Sequence, residues 1–145
     1  MYEKDTDELV KELKISHDAR TFQNQNQTEF KMPLHEYLNK LLKEKILSKS
    51  ELVEKINSND KHIYHILSGF RKPSRKKLLT IARAMELNLE ETNYLLRYGG
   101  FGVLYVRDVW DSIVMHAIEK NLTIIETNNL LYNLGQPLLN GNSKD

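Results

Sequence analysis

LSKSELVEKINSNDKHIYHILSGFRKPS, residues 47–74, decides how this chain folds. Ser48-Lys49-Ser50-Glu51 is a capping box: the Ser48 hydroxyl and the Glu51 carboxylate close reciprocal bonds to free amides. The helix it opens carries Leu52, Val53 and Ile56 at helical spacing. Asn57-Ser58-Asn59 reads as a turn, with Asn57 suited to the left-handed backbone of a tight corner. A second short helix follows from about Asp60 to Leu67, with Ile63, Ile66 and Leu67 along one side, and Ser68-Gly69 stops it. Asp60, Lys61, His62, Tyr64, His65 and Ser68 then point outward or sideways. Basic side chains crowd the continuation: Arg71, Lys72, Arg75, Lys76 and Lys77. Two short helices at a tight corner form a rigid unit whose outer helix can enter the major groove of DNA.

The same 3.6-residue period runs through most of the chain, and strand-like alternation is nearly absent, so the expected fold is all-α. A short helix is expected over 6–15, followed by a polar, amide-rich loop or arm to residue 33. Leu34, Leu38, Leu41, Leu42 and Ile46 mark an amphipathic helix before the quoted stretch. After it, Leu78, Leu79, Ile81, Ala82 and Met85 mark one helix. A capping box at Asn88–Glu91 opens another that ends at Gly99-Gly100. FGVLYV (101–106) reads as a short extended connection. Val109, Trp110, Ile113, Val114, Ala117 and Ile118 make a further helix. Thr123–Glu126 is a third capping box, whose helix ends at Gly135. The terminal NGNSKD reads as a disordered tail.

An internal repeat is present. LNLEETNYLLRYGGFGVL (87–104) and LTIIETNNLLYNLGQPLL (122–139) share 8 of 18 residues at an offset of 35. The preceding helices keep the offset, with Ala82 over Ala117. Residues 75–104 and 110–139 are therefore two copies of a helical hairpin, the second read as a layer packed on the first. The expected organisation is an N-terminal helix and polar arm (1–33), a helix-turn-helix domain (34–104), and a C-terminal hairpin with tail (105–145).

Charge follows the same divisions. Net charge is +1, but residues 1–33, 34–79 and 80–145 carry −2, +6 and −3. A basic middle between acidic flanks suits an anionic partner, although lysine-rich solvated helix faces also produce such patches. The absence of cysteine excludes disulfides, thiolate metal sites and a thiol nucleophile. No apolar run reaches the length of a membrane span, and the acidic N-terminus is unlike a secretory signal, so a cytoplasmic protein with no membrane partner is expected.

Residues 47–74 resemble the helix-turn-helix of the XRE family, the Cro and phage-repressor type. Leu52 and Ile56 fall on core positions of the family's second helix, and Ile63 and Ile66 on the core of its recognition helix. Gly69, Pro73 and Ser74 fall in register without gaps. The resemblance covers about 34–95, the family's five-helix domain. EYLNKLLKEK, SGFRKPSRKKL and the LEETNYLL repeat also resemble a narrower group of small Firmicutes regulators. There are departures. Asn57 replaces a corner glycine, Ser58 an apolar residue and Leu67 a glutamate. Asp60 stands at the first exposed recognition position, where it either caps the helix or accepts from cytosine N4.

The resemblance implies sequence-specific binding of double-stranded DNA and a transcriptional regulator. Lys61, His62, Tyr64 and His65 would face base edges. Lys49, Ser68, Arg71, Lys72 and Arg75 would hold phosphates and set register. The rival reading is a non-catalytic adaptor or inhibitor that kept the helical fold and lost groove reading. FGVLYV with Leu130, Leu131 and Leu134 would form part of a surface for a second copy or a protein partner, unless they are buried within one monomer.

Other features have plainer readings. His62 and His65 lie three apart but have no cysteine and no carboxylate pair to complete a metal site. Gly99-Gly100-Phe101-Gly102 ends a helix and is a C-cap, not a phosphate loop. Trp110 and Tyr132 read as core. Asp108 and Asp111 flank a helix start and read as charge partners of its N-terminus. No nucleophile–base arrangement is present, so neither catalysis nor a cofactor is expected.

Overall fold

The computed structural model describes residues 3–27, 30–56 and 60–140, with Asp60 described by its backbone alone. The fold is all-α: the described residues form nine helices and no strand. No helix among them is long and apolar enough to cross a membrane. The expected turn at 57–59 and most of the expected tail lie outside the described residues. The chain divides into two compact units, residues 1–33 and 34–145. The C-terminal hairpin belongs to the second unit.

The first unit contains α1 (Thr6–Ile15) and α2 (Ala19–Gln25). Residues 19–25 are thus helical, where a loop was expected from the run of amides. Asp18 explains the helix, since its carboxylate caps it by accepting from Thr21 N at 2.7 Å. Phe22 is buried and meets Phe30 edge to face at 6.0 Å. Asn26, 2% exposed, donates to Glu12 at 2.9 Å and to the Phe22 carbonyl at 3.0 Å, and accepts from Lys4 at 2.7 Å. An amide-rich segment can order when its amides find such partners.

The second unit contains α3 (Leu34–Glu44), α4 (Lys49–Ile56), α5 (Asp60–Leu67), α6 (Arg75–Ala84), α7 (Leu89–Tyr98), α8 (Val109–Glu119) and α9 (Ile124–Asn133). α6 is buried from Lys77 to Ala84. It packs against α4, α7 and α9, while α3 packs against α5. Leu38, Leu52, Ile56, Ile63, Ile66, Leu67, Leu78, Ile81 and Leu95 are fully buried, in agreement with the apolar pattern. All three capping boxes close: Ser48 with Glu51, Asn88 with Glu91, and Thr123 with Glu126.

One connection is used three times. Ile46, Glu86 and Asn121 take positive φ (52°, 57° and 51°), and the next residue is leucine in each case. The amides of Leu47, Leu87 and Leu122 then reach back to the carbonyls of Leu42, Ala82 and Ala117 at 2.9, 3.1 and 2.9 Å. This satisfies carbonyls at each helix end before the capping box opens the next helix. Ile46 is therefore not on the apolar stripe of α3, as expected, but in the turn beyond it, 90% exposed.

The duplication extends to side-chain bonds. Asn93 accepts from Leu104 N at 2.9 Å, and Asn128 accepts from Leu139 N at 2.8 Å. Thr92 and Thr127 each donate to the carbonyl of their own cap residue, Asn88 and Thr123, at 2.7 Å. α8 packs on α7 and α9 on α6, with Ile113, Val114 and Ala117 buried. Arg83, 3% exposed, ties the two turns by donating to the carbonyls of Leu87 (2.7 Å) and Leu122 (2.9 Å). Tyr132 is not core, as expected, but 75% exposed. Trp110 is half-buried and donates from its indole N–H to the Pro137 carbonyl at 2.8 Å.

Candidate nucleic-acid interface

α5 is divided by face. Ile63, Ile66 and Leu67 are at most 1% exposed. On the other side Lys61, Tyr64 and Ser68 are exposed, and His62 and His65 are half-buried. Its last turn is held from α3: Asn39 donates to the carbonyls of Leu67 and His35, both at 2.8 Å. The chain then turns at Gly69, with φ +84°. A Cβ there would stand 2.7 Å from the His35 ring, so glycine is required both for the backbone angle and for the close approach.

The basic loop folds back on α5. Arg71 N donates to the His65 carbonyl at 3.1 Å, and the Ser68 hydroxyl donates to the same carbonyl at 3.1 Å. Pro73 is buried, and Ser74 caps α6 by accepting from Lys77 N at 3.1 Å. Arg71 and Lys72 are exposed on this short bridge. Lys49 is exposed at the first turn of α4, behind the Ser48–Glu51 box.

The five cations between Arg71 and Lys77 do not form one surface. Lys77 is 3% exposed. Arg75, expected among the phosphate contacts, is turned inward instead. Its guanidinium forks onto the Asp111 carboxylate at 3.0 and 2.9 Å and donates to the carbonyls of Gly102 (3.1 Å) and Val103 (3.2 Å). Asp111 also accepts from Tyr105 N at 2.9 Å. Burial pushes the Asp111 carboxyl up, but the bonds from Arg75 and Tyr105 outweigh it and leave it below the ordinary value. Lys76 is half-buried, so Arg71 and Lys72 are the exposed cations of the group.

His62 has a pKa below the usual imidazole value, first because of burial and then because of the charges of Lys77, Arg71 and His65. It is a neutral donor and acceptor at neutral pH. A phosphate placed there would reverse that balance. The side chain of Asp60 lies outside the described residues, so its expected cap does too.

Two features were not expected from the sequence. Phe70 is 76% exposed, with its ring 4.9 Å from that of His65. The apolar run before it gave no sign that one aromatic would remain outside. The Arg75–Asp111 pair spans 36 residues, and its only trace was the offset between the two hairpins. Among the described residues, no group of three or more His, Cys, Asp or Glu is gathered where it could hold a metal ion. No protein-family model matches this chain, and no curated protein or solved structure is detectably similar to it.

Proposed function

We propose that the chain is a sequence-specific double-stranded DNA-binding protein and a cytoplasmic transcriptional regulator of the XRE helix-turn-helix type, with α5 as recognition helix. The observation that carries this reading is the two-faced α5, its polar face continued by a loop that presents Arg71 and Lys72. Lys61, Tyr64, His65 and, at the edge, His62 serve base edges. Lys49, Ser68, Arg71 and Lys72 serve phosphates. Arg75 is not among them; it braces the loop from within.

A salt series on random-sequence duplex tests this reading. Affinity should fall linearly on a log–log plot, and Arg71→Ala or Lys72→Ala should each lower the slope by roughly one. No binding at low salt would remove the reading.

The second reading, a protein-interaction module, is favoured by exposed apolar residues on the C-terminal hairpin and on the 101–106 connection that precedes it. Val103, Tyr105, Val106, Tyr132 and Leu134 are 38–75% exposed. Under the first reading this surface joins two copies, so that two recognition helices reach adjacent half-sites. Leu131, expected to contribute, is wholly buried and does not.

A further inference from the structure

We propose that Phe70 packs on a deoxyribose between two backbone phosphates, one held by Arg71 and the other by Lys72, and so supplies a salt-independent part of the affinity. The inference rests on the DNA-binding reading and adds to it a contact that is neither ionic nor base-specific.

The ring is exposed at the tip of the turn that ends α5, and two exposed cations follow it directly in the chain. It is not loosely held. The His65 ring lies 4.9 Å away at 56°, and the backbone on either side is fixed by Arg71 N to the His65 carbonyl and by the close fit of Gly69 to His35. An apolar ring 76% in water, carried on a backbone held at both ends, can be buried against a partner with little loss of backbone freedom. The flanking charges limit what it can meet. A purely apolar partner would leave Arg71 and Lys72 desolvated and unpaired, which is costly. The sugar–phosphate strand matches the pattern, since it carries apolar sugar faces between anionic groups. The position along the helix selects sugar over base: the first turns of a recognition helix enter the groove, so the turn beyond its last residue lies by the backbone.

The test compares wild type, Phe70→Ala and Phe70→Leu on two pools of random-sequence 30-base-pair duplex, one with thymine and one with uracil in its place. Circular dichroism first shows that the variants are folded, as an exposed side chain should allow. Phe70→Ala should weaken binding roughly five- to tenfold at every salt concentration, leave the slope unchanged, and do so equally on both pools, with Phe70→Leu between. Wild-type binding with no loss in Phe70→Ala would overturn this inference and leave the DNA-binding reading standing. A loss confined to the thymine pool would overturn it in favour of a thymine methyl contact. Failure of the wild type to bind either pool would remove both readings.

Discussion

At the residue scale, Ile46 and His62 are each held against their own preference by the surrounding structure. A β-branched residue at φ 52° is strained, and the Ile46 side chain gains no burial in return because it is 90% exposed. Glycine at that position removes the strain, and Ile46→Gly should raise unfolding stability by about 1 kcal/mol in urea titration. His62 has its folded pKa below the unfolded value of about 6.5. The unfolded chain therefore binds more protons between the two values, and this group's contribution to stability is present above 6.5 and lost as pH falls below it. Under the proposed DNA-binding reading, bound DNA would act in the opposite sense, since phosphate favours the charged ring. Affinity should therefore rise as pH falls from 7.5 to 6, with uptake of up to one proton, and His62→Gln should flatten that rise. Unchanged pH dependence in the variant would take His62 out of the interface. The Ile46 turn was not legible as such: an isoleucine four residues after Leu42 continues an apolar stripe on paper, and only the shared Leu-plus-capping-box pattern after it identifies the helix end.

At the element scale, the hairpin was written twice and much of it could be read. The shared Glu, Thr, Asn and Leu positions are those that cap, back-bond and fill each copy. Asn93 and Asn128 satisfy the amides of Leu104 and Leu139, both leucines being at most 5% exposed. Removing either amide side chain leaves a buried N–H without its partner. Asn93→Ala and Asn128→Ala should each cost about 1–2 kcal/mol, in similar amounts despite their different places in the chain. A large effect at one and none at the other would show that the two copies are not equivalent in energy. What could not be read was α2, because its residues are intrinsically polar and only Asp18, Phe22 and Asn26 give it a cap and a buried side. Asp60 belongs to this scale as well. If it caps α5, Asp60→Asn keeps most of the stability and raises DNA affinity; loss confined to sites with one particular cytosine would show a base contact instead.

At the scale of the whole molecule, the second hairpin is a brace. Arg75 to Asp111, Thr80 to the Leu139 carbonyl and Arg83 to the Leu122 carbonyl join it to the first, and Asn140, just beyond it, donates to the Ile56 carbonyl at the end of α4. Charge counted along the sequence could not show that Arg75 leaves the basic patch, because Asp111, which draws it inward, lies 36 residues away in the chain. Breaking the Arg75–Asp111 pair with Asp111→Asn should cost about 2 kcal/mol, less than for a fully buried pair because Arg75 is partly exposed. The Asp111 carboxyl titrates below its ordinary value, so its contribution is complete above about pH 4 and is lost on further acidification. Sedimentation of the full chain tests the shared surface: a dimer at micromolar concentration that Val106→Glu converts to monomer is expected, and a wild-type monomer with and without DNA would leave the hairpin as a brace alone.

Selection from a random duplex pool tests the central claim most directly. After several rounds of retention on the full-length protein, one recurrent site should emerge. If the chain acts as a dimer, the site should consist of two related half-sites about one helical turn apart. Lys61→Ala should relax it at one or two positions while Arg71→Ala keeps the same site at lower affinity. A pool that is retained but never converges, or one that is not retained at all, would contradict sequence-specific recognition by α5.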